Sequence, residues 1–471
     1  MNQRLGNGKG RIKVASLLIS CASRLASRGN EPRPSESAPV RVHQFTARLW
    51  SLFGQLGACA FLVIPSVLAG DWPQWRGPER NGHAAADEPF PATLPANLEP
   101  RWNRPIGPGF ASPVVVGTRL FHVDEQGGHE TAQALDASTG AILWQTAYAP
   151  STGDEWGSGP RCTPVAEDGR LYVQSLQGDF ACLDQQDGRR LWGFSFSRDF
   201  GVRYLGGSDN SDAAARRRGN TGAPVIVGDR IFVTVGSTNN ATVVCFDKRS
   251  GSERWRAGTD EAAYAALVSG RLAGHSQVVA YTAFSLLGLD VESGATLWRI
   301  PLKSHANRHA VTPVLDGDSM IVSSHTLGTR AFRVTGDPAP RGAFTASEVW
   351  SEPQLKTSLA TLVLVGRHLY GQGPDRDFIC VEAATGTKRW SQRGYSDKPL
   401  TGYSATLASQ SRLLVLSENG QLTLLEANPN AYRELGRQQV CGKNWSHPAF
   451  AGGTLYLRDQ RNLIALPLHQ P

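Results

Sequence analysis

The sequence predicts an all-β fold in which repeated four-stranded antiparallel units close into a ring. Two observations carry that prediction. An Asp-x3-Gly-x3-Trp word recurs as Asp136…Gly140…Trp144, Asp184…Gly188…Trp192, Asp247…Gly251…Trp255 and Asp290…Gly294…Trp298, and returns with Glu in first place as Glu382…Gly386…Trp390. A fixed word with looser restarts between copies marks a repeat array. Composition agrees, since 50 Gly, 28 Pro and 12 Trp beside 2 Met in 471 residues fit many turns and short strands rather than long helices.

The chain opens on a basic leader, residues 1–70, with nine Lys/Arg and two acids. The rest balances 39 basic against 39 acidic residues, so the net charge of +7 belongs to the leader. A neutral body offers no electrostatic footprint for a phosphate backbone, and nucleic acid is not an expected partner. The uncharged run Leu49 to Ala69, closing with Val67-Leu68-Ala69 before Gly70-Asp71, reads as a secretory signal removed on export to the periplasm or cell envelope. Membrane attachment is expected only through an uncleaved signal or through lipid on Cys59, where Leu56-Gly57-Ala58-Cys59 looks like a lipobox. Beyond the leader remain Cys162, Cys182, Cys245, Cys380 and Cys441, an odd set without a C-x-x-C pair, which argues against a disulfide framework and a zinc site. Cys182, Cys245 and Cys380 each stand two residues before the repeat's acid and read as one buried position.

Residues 71–97, Pro-rich and aperiodic, read as an extended strap anchored by Trp72 and Trp75. The first unit shows the pattern: Ser112–Val116, Arg119–Val123, Thr131–Leu135 and Ile142–Trp144 are short β-type runs joined by turns. Further units run from Thr163 to Trp192, Ala223 to Trp255, Tyr264 to Trp298, Thr312 to Trp350 and Thr361 to Trp390; a seventh lacks the Trp, and the last, from His447, is one strand short. Leu98 to Trp102 supplies a spare strand at the other end. Pairing it with the final three closes residues 98–471 into an eight-bladed β-propeller without an open ring end.

Within the word, the acid can accept backbone N–H bonds across the turn and Gly supplies a positive φ. The Trp on the outer strand can pack between neighbouring blades and give its N–H to a turn carbonyl. Asp136, Gly140, Trp144, Asp184, Trp192, Asp247, Trp255, Asp290, Trp298, Glu382 and Trp390 are therefore assigned structural roles.

These words resemble the tryptophan-docking repeats of pyrroloquinoline-quinone (PQQ)-type eight-bladed propellers. Residues 71–471 as a whole are similar to exported PQQ-like repeat proteins of the BamB-like group, the segments DWPQWRGP, TDEAAYAALV, SENGQLTLLEANPNAYRELGR and AGGTLYLRDQRNLIAL fitting that likeness. The dehydrogenases of this fold stack a vicinal disulfide on the quinone and hold calcium with acid and amide side chains. This sequence has no Cys-Cys pair and no residues that match the calcium or catalytic-acid positions, so no cofactor is expected, with PQQ and calcium as the alternative.

Loops that enter the innermost strands face the mouth of the central channel. They place Arg161, Asn220, Tyr264, His309, Lys356, Tyr403 and Trp445 there as candidate ligand contacts. Ser151 to Gly159 reads as a connection or a cover over the channel, and Arg198 to Asn220, with Arg203, Asp209, Asp212 and Arg216, Arg217 and Arg218, is the longest excursion between blades. His305, Asn307 and His309 lie on a turn, where histidines four apart do not converge, and no metal site is expected. The expected function is that of a monomeric, non-catalytic scaffold binding a protein or polysaccharide partner in the envelope. The alternatives are a PQQ-dependent oxidoreductase acting on alcohols or sugars, and a carbohydrate-binding propeller.

Overall fold

The computed structural model describes residues 70–154, 156–202, 220–304, 307–337, 343–397 and 402–468, all within one unit that spans 65–471. Residues 1–69 of the leader, with Cys59, the loop residues Arg203, Asp209, Asp212, Arg216, Arg217 and Arg218, and His305 lie outside them.

Eight four-stranded antiparallel sheets follow one another along the chain. Blade 1 comprises Val114–Val116, Arg119–Gln126, His129–Asp136 and Ile142–Pro150. Blade 2 runs from Val165 to Ser195, blade 3 from Val225 to Ala257 and blade 4 from Val268 to Pro301. Blade 5 runs from Val314 to Glu352, blade 6 from Val363 to Arg393 and blade 7 from Ser404 to Gln439. In each, the first strand is innermost. The middle strands are apolar on both faces because blades stack on both sides: in blade 1, Leu120 faces the cluster shared with blade 8, while Phe121 and Val123 face blade 2. Outer strands are exposed, as at Ile142 and Leu143.

Blade 8 combines Ala449–Ala451, Thr454–Arg458 and Asn462–Pro467 with Trp102–Pro105 from the other end of the chain, so that Trp102 pairs with Ala465. The closing strand lies later than the expected Leu98 to Trp102. Pro100 has no N–H to give, and pairing starts with the Arg101 N–H bonded to the Ala465 carbonyl at 2.8 Å.

The repeated word fastens one blade to the next. Asp136 accepts the Ser138 and Thr139 N–H groups at 3.0 and 2.8 Å, and Gly140 takes φ +71°. Outer-strand tryptophans dock on the turn of the following blade: Trp102 gives its indole N–H to the Ala137 carbonyl, Trp144 to Gln185, Trp255 to Val291 and Trp350 to Ala383, at 2.9–3.1 Å. The same rings lie flat on the turn glycines. A β-carbon at Gly188 would stand 2.5 Å from the Trp144 ring, and one at Gly251 2.5 Å from Trp192. Glycine is thus required by the backbone angle and by the neighbour's indole at once. Cys182, Cys245 and Cys380 sit opposite Trp192, Trp255 and Trp390 across the sheet, buried, their thiols pushed up by burial.

Two irregular copies follow from this geometry. Blade 5 carries no intact copy of the word, and Trp298 bonds Gln277 of its own blade at 2.6 Å. Blade 8 has no turn there at all, because its last two strands come from opposite chain ends. Gly436 accordingly stands where blade 7 would carry a Trp, and the strap's Leu94 lies 3.2 Å from where its β-carbon would be.

Candidate functional site

The strap is anchored through Trp72 and Trp75, and it runs across the inner strands of the ring. Trp72 exchanges two backbone bonds with Val115 of blade 1, the Pro73 carbonyl accepts the Ala166 N–H of blade 2, and Gly82 and Ala84 pair with Ala408 of blade 7. Between these anchors the chain turns through Trp75–Arg80 and meets the start of the other inner strands. The Trp75 indole donates to Thr312 Oγ1 at 3.1 Å and packs against Cys162, Ala223 and Ala266.

Arg76 and Arg80 hold the tip. Arg80 gives Nε to the Leu267 carbonyl, Nη1 to the Pro224 carbonyl and Gln74 Oε1, and Nη2 to the Ala223 carbonyl, at 2.8–3.1 Å. Arg76 Nη2 reaches the Leu362 and Asn81 carbonyls at 2.9 and 3.0 Å. Both guanidinium groups are buried, and among the described residues neither forms an ion pair; main-chain carbonyls are their counter-dipoles. Burial lowers Arg76 to about 9 and Arg80 to about 10, so both remain charged at neutral pH. His447 stacks on Trp72 at 6.0 Å and meets Trp75 edge-on at 5.5 Å; burial and the nearby Arg76 cation push its ring down to about 4.

The strap therefore floors the mouth, and the seven candidate residues sit in unlike settings around it. Arg161 and Trp445 come together around Phe110: the guanidinium lies 5.5 Å over the phenyl ring, and the indole is 5.8 Å from it. Trp156, half exposed on a small hairpin pairing Gly153–Asp154 with Gly157–Ser158, meets Trp445 at 5.5 Å, and Lys443 Nζ lies 5.4 Å from the same indole. Tyr264 donates its N–H to the His309 carbonyl at 3.0 Å, and its own carbonyl accepts from Thr221. His309 is buried, stacked 4.0 Å from Tyr281 and bonded through Nδ1 to the Thr282 carbonyl, and burial pushes it to about 4. Asn220 is tied to the Leu176 carbonyl. Tyr403 turns into the core beside Arg76, its hydroxyl pushed up by burial. Lys356 lies apart, with Glu352, Asp375 and Lys388 in a cleft of about 390 Å³ at the seam of blades 5 and 6.

Deeper in the seam of blades 1 and 2, Glu130 accepts the Leu176 N–H and the Tyr148 hydroxyl, both at 3.0 Å; burial raises its carboxyl to about 7. Sequence reasoning missed Arg76, Arg80, Phe110 and Lys443, and reached Trp156 only as part of the Ser151 to Gly159 connection or cover. The one available signal was the crowding of two Trp, two Arg and two Gly into residues 72–82, too dense for a plain linker.

The geometry defines a class: an eight-bladed propeller fastened by tryptophan docking, with its axis filled by its own N-terminal segment. A family model described as outer membrane protein assembly factor BamB matches residues 96–204 and 128–392, and the chain belongs to that family. The BamB of Xanthomonas campestris pv. campestris is 27% identical over 115 residues, 24% of each chain. A quinohemoprotein alcohol dehydrogenase, ADH-IIG of Pseudomonas putida, is 25% identical over 155 residues, 31% of this chain and 19% of the dehydrogenase. The chain thus spans less than a quarter of the length of either curated relative. The crystal structure of BamB from Moraxella catarrhalis shares the fold, with a TM-score of 0.52, 15% identity, and coverage of 80% of this chain and all of that one.

A calcium ion, as in the dehydrogenases of this fold, does not fit the residues at the axis. Two cations, Arg76 and Arg80, stand there; the collar of Cys162, Ala223, Ala266 and Trp75 is apolar; and among the described residues no three His, Cys, Asp or Glu side chains converge.

Proposed function

We propose that this protein is an exported ring whose rim recognises a protein or polymer partner in the cell envelope, with no catalytic step and no bound quinone. The observation that carries this reading is the filled axis. With residues 72–83 hydrogen-bonded through the channel, the apolar and cationic groups left for recognition lie at the rim, where Trp156, Trp445 and Phe110 cluster beside Arg161 and Lys443. Tryptophan and arginine are the side chains that most often anchor such contacts. BamB of Xanthomonas campestris pv. campestris is an outer membrane protein assembly factor, which supports a protein partner, and the run ending at Ala69 supports export. Among the described residues no helix is long and apolar enough to cross a membrane.

A photo-crosslinking residue at Trp156, compared with one at Val349 on an outer strand, tests the reading in intact cells. A partner captured through position 156 alone supports it; equal capture at both positions, or none, overturns it. The likeness to the alcohol dehydrogenase favours a second reading, a quinone-dependent oxidoreductase. Incubation with PQQ and calcium tests it: a shifted quinone spectrum with dye reduction by alcohols would replace the scaffold reading.

A further inference from the structure

Gly70 follows the small-residue run Val67-Leu68-Ala69, yet it is buried against blade 8 rather than left on a loose end. Its φ is +108°, and a side chain there would run into Glu88 Oε2 and the Gly452 amide. Glu88 is also buried, 6% exposed, and its other oxygen, Oε1, accepts the Gly453 N–H at 2.6 Å. A carboxylate and the first residue after a cleavage motif are therefore packed together in a site that admits only glycine.

We propose that hydrolysis of the Ala69–Gly70 bond creates an α-ammonium at Gly70 that the Glu88 carboxylate captures, so that removal of the leader fastens the strap to blade 8. An endoprotease of the signal-peptidase class adds water across the peptide bond: hydroxyl goes to the Ala69 carbonyl carbon and hydrogen to the Gly70 nitrogen. The new amine then takes up a proton from solvent. The inference rests on the export reading above.

Among the described residues, the neighbouring acids are placed elsewhere. Asp71 is committed to blade 1, where Oδ1 accepts the Gly117 N–H at 2.8 Å, and Asp87 is exposed. The blade 8 atoms nearest to where a Gly70 β-carbon would stand belong to the backbone of Gly452 and Ala451. An α-ammonium has an ordinary pKa of about 7.7–8.0 and is mostly charged at neutral pH. Away from water it needs a counter-charge, and Glu88 is the acid within reach. The pair raises the amine's pKa, so while the Glu88 carboxylate is ionised its stabilisation is complete below about pH 7.7 and disappears as pH climbs through the raised value.

The test uses the exported protein. Intact mass and N-terminal sequencing are expected to give Gly70 as the first residue. Brief acetylation near neutral pH is expected to modify the Gly70 amine at least about tenfold more slowly than in unfolded chain, because a captured amine is both protonated and enclosed. Glu88→Gln is expected to abolish that protection and Asp87→Asn to retain it. In the unmutated protein, the pH midpoint of reactivity should lie above about 8, a readout that needs no variant. A different first residue, an unprotected amine, or protection that survives Glu88→Gln would overturn the proposal. A chain that keeps its leader would overturn the proposal but not export, which an uncleaved signal also serves, and failure of rim crosslinking would leave this result untouched.

Discussion

Replacing Arg80 by Met removes the charge that holds the strap while keeping most of the side chain's bulk. Three main-chain carbonyls, of Ala223, Pro224 and Leu267, lose a charged donor, and Gln74 loses its partner. Leaving a buried acceptor unmatched costs about 1–3 kcal/mol each, so three put the loss at about 3 kcal/mol or more. Opposing this, the substitution relieves the burial of a guanidinium that has no carboxylate beside it. The carbonyl bonds are short and in place, and we expect them to prevail, giving a net destabilisation of about 2–4 kcal/mol. Urea unfolding followed by tryptophan fluorescence measures it, and faster tryptic cleavage at Arg76 in native buffer shows whether the strap has come loose. A midpoint within about 0.5 kcal/mol of the parent, or above it, would refute the reasoning and mark the buried cation as a net cost.

Three further outcomes follow from the same geometry. Trp144→Phe loses the bond to the Gln185 carbonyl, whereas Trp192→Phe does not, because the Trp192 indole makes no hydrogen bond and Tyr172 already donates to the Lys248 carbonyl on that turn; urea midpoints should separate the two by about 1 kcal/mol. Gly188→Ala, with φ +75° and the Trp144 ring in the way, should cost at least about 2 kcal/mol, while Gly169→Ala, with φ +72° and open space, should cost about 1 kcal/mol by the same measurement. His447 is neutral in the fold and its pKa is lowered to about 4, so the unfolded chain binds its proton first. Stability is therefore lost as pH falls from about 6.5 toward 4, and thermal melts of His447→Phe should show a shallower acid limb; an unchanged limb would count against the buried neutral ring.

The ring was legible because its determinants are local. Asp136 to Trp144 writes a turn and its fastener in nine consecutive residues, and short β-type runs such as Arg119–Val123, bounded by turn residues, write the strands between. The seventh unit's missing Trp was visible, but its cause was not: that blade 8 lacks a receiving turn appears only once Trp102 is seen paired with Ala465. The strap was unreadable for a related reason. Arg76 and Arg80 bond to main-chain carbonyls of Leu362, Leu267, Pro224 and Ala223, and a carbonyl leaves no mark in the identity of the residue that owns it. Hairpin loops place residues such as Phe110, Trp156 and Trp445 together across some 300 positions of sequence, and no spacing rule reaches that far.

A ring of near-identical blades has no intrinsic beginning: any blade could serve as any other's neighbour, and a closing chain could skip or double one. The strap removes that ambiguity. Its contacts to blades 1 to 8 are all different, so it acts as a key with one cut per position, and only a ring with every blade in its own place can receive it. Symmetry supplies the strength of the assembly, and this one asymmetric segment supplies the addressing.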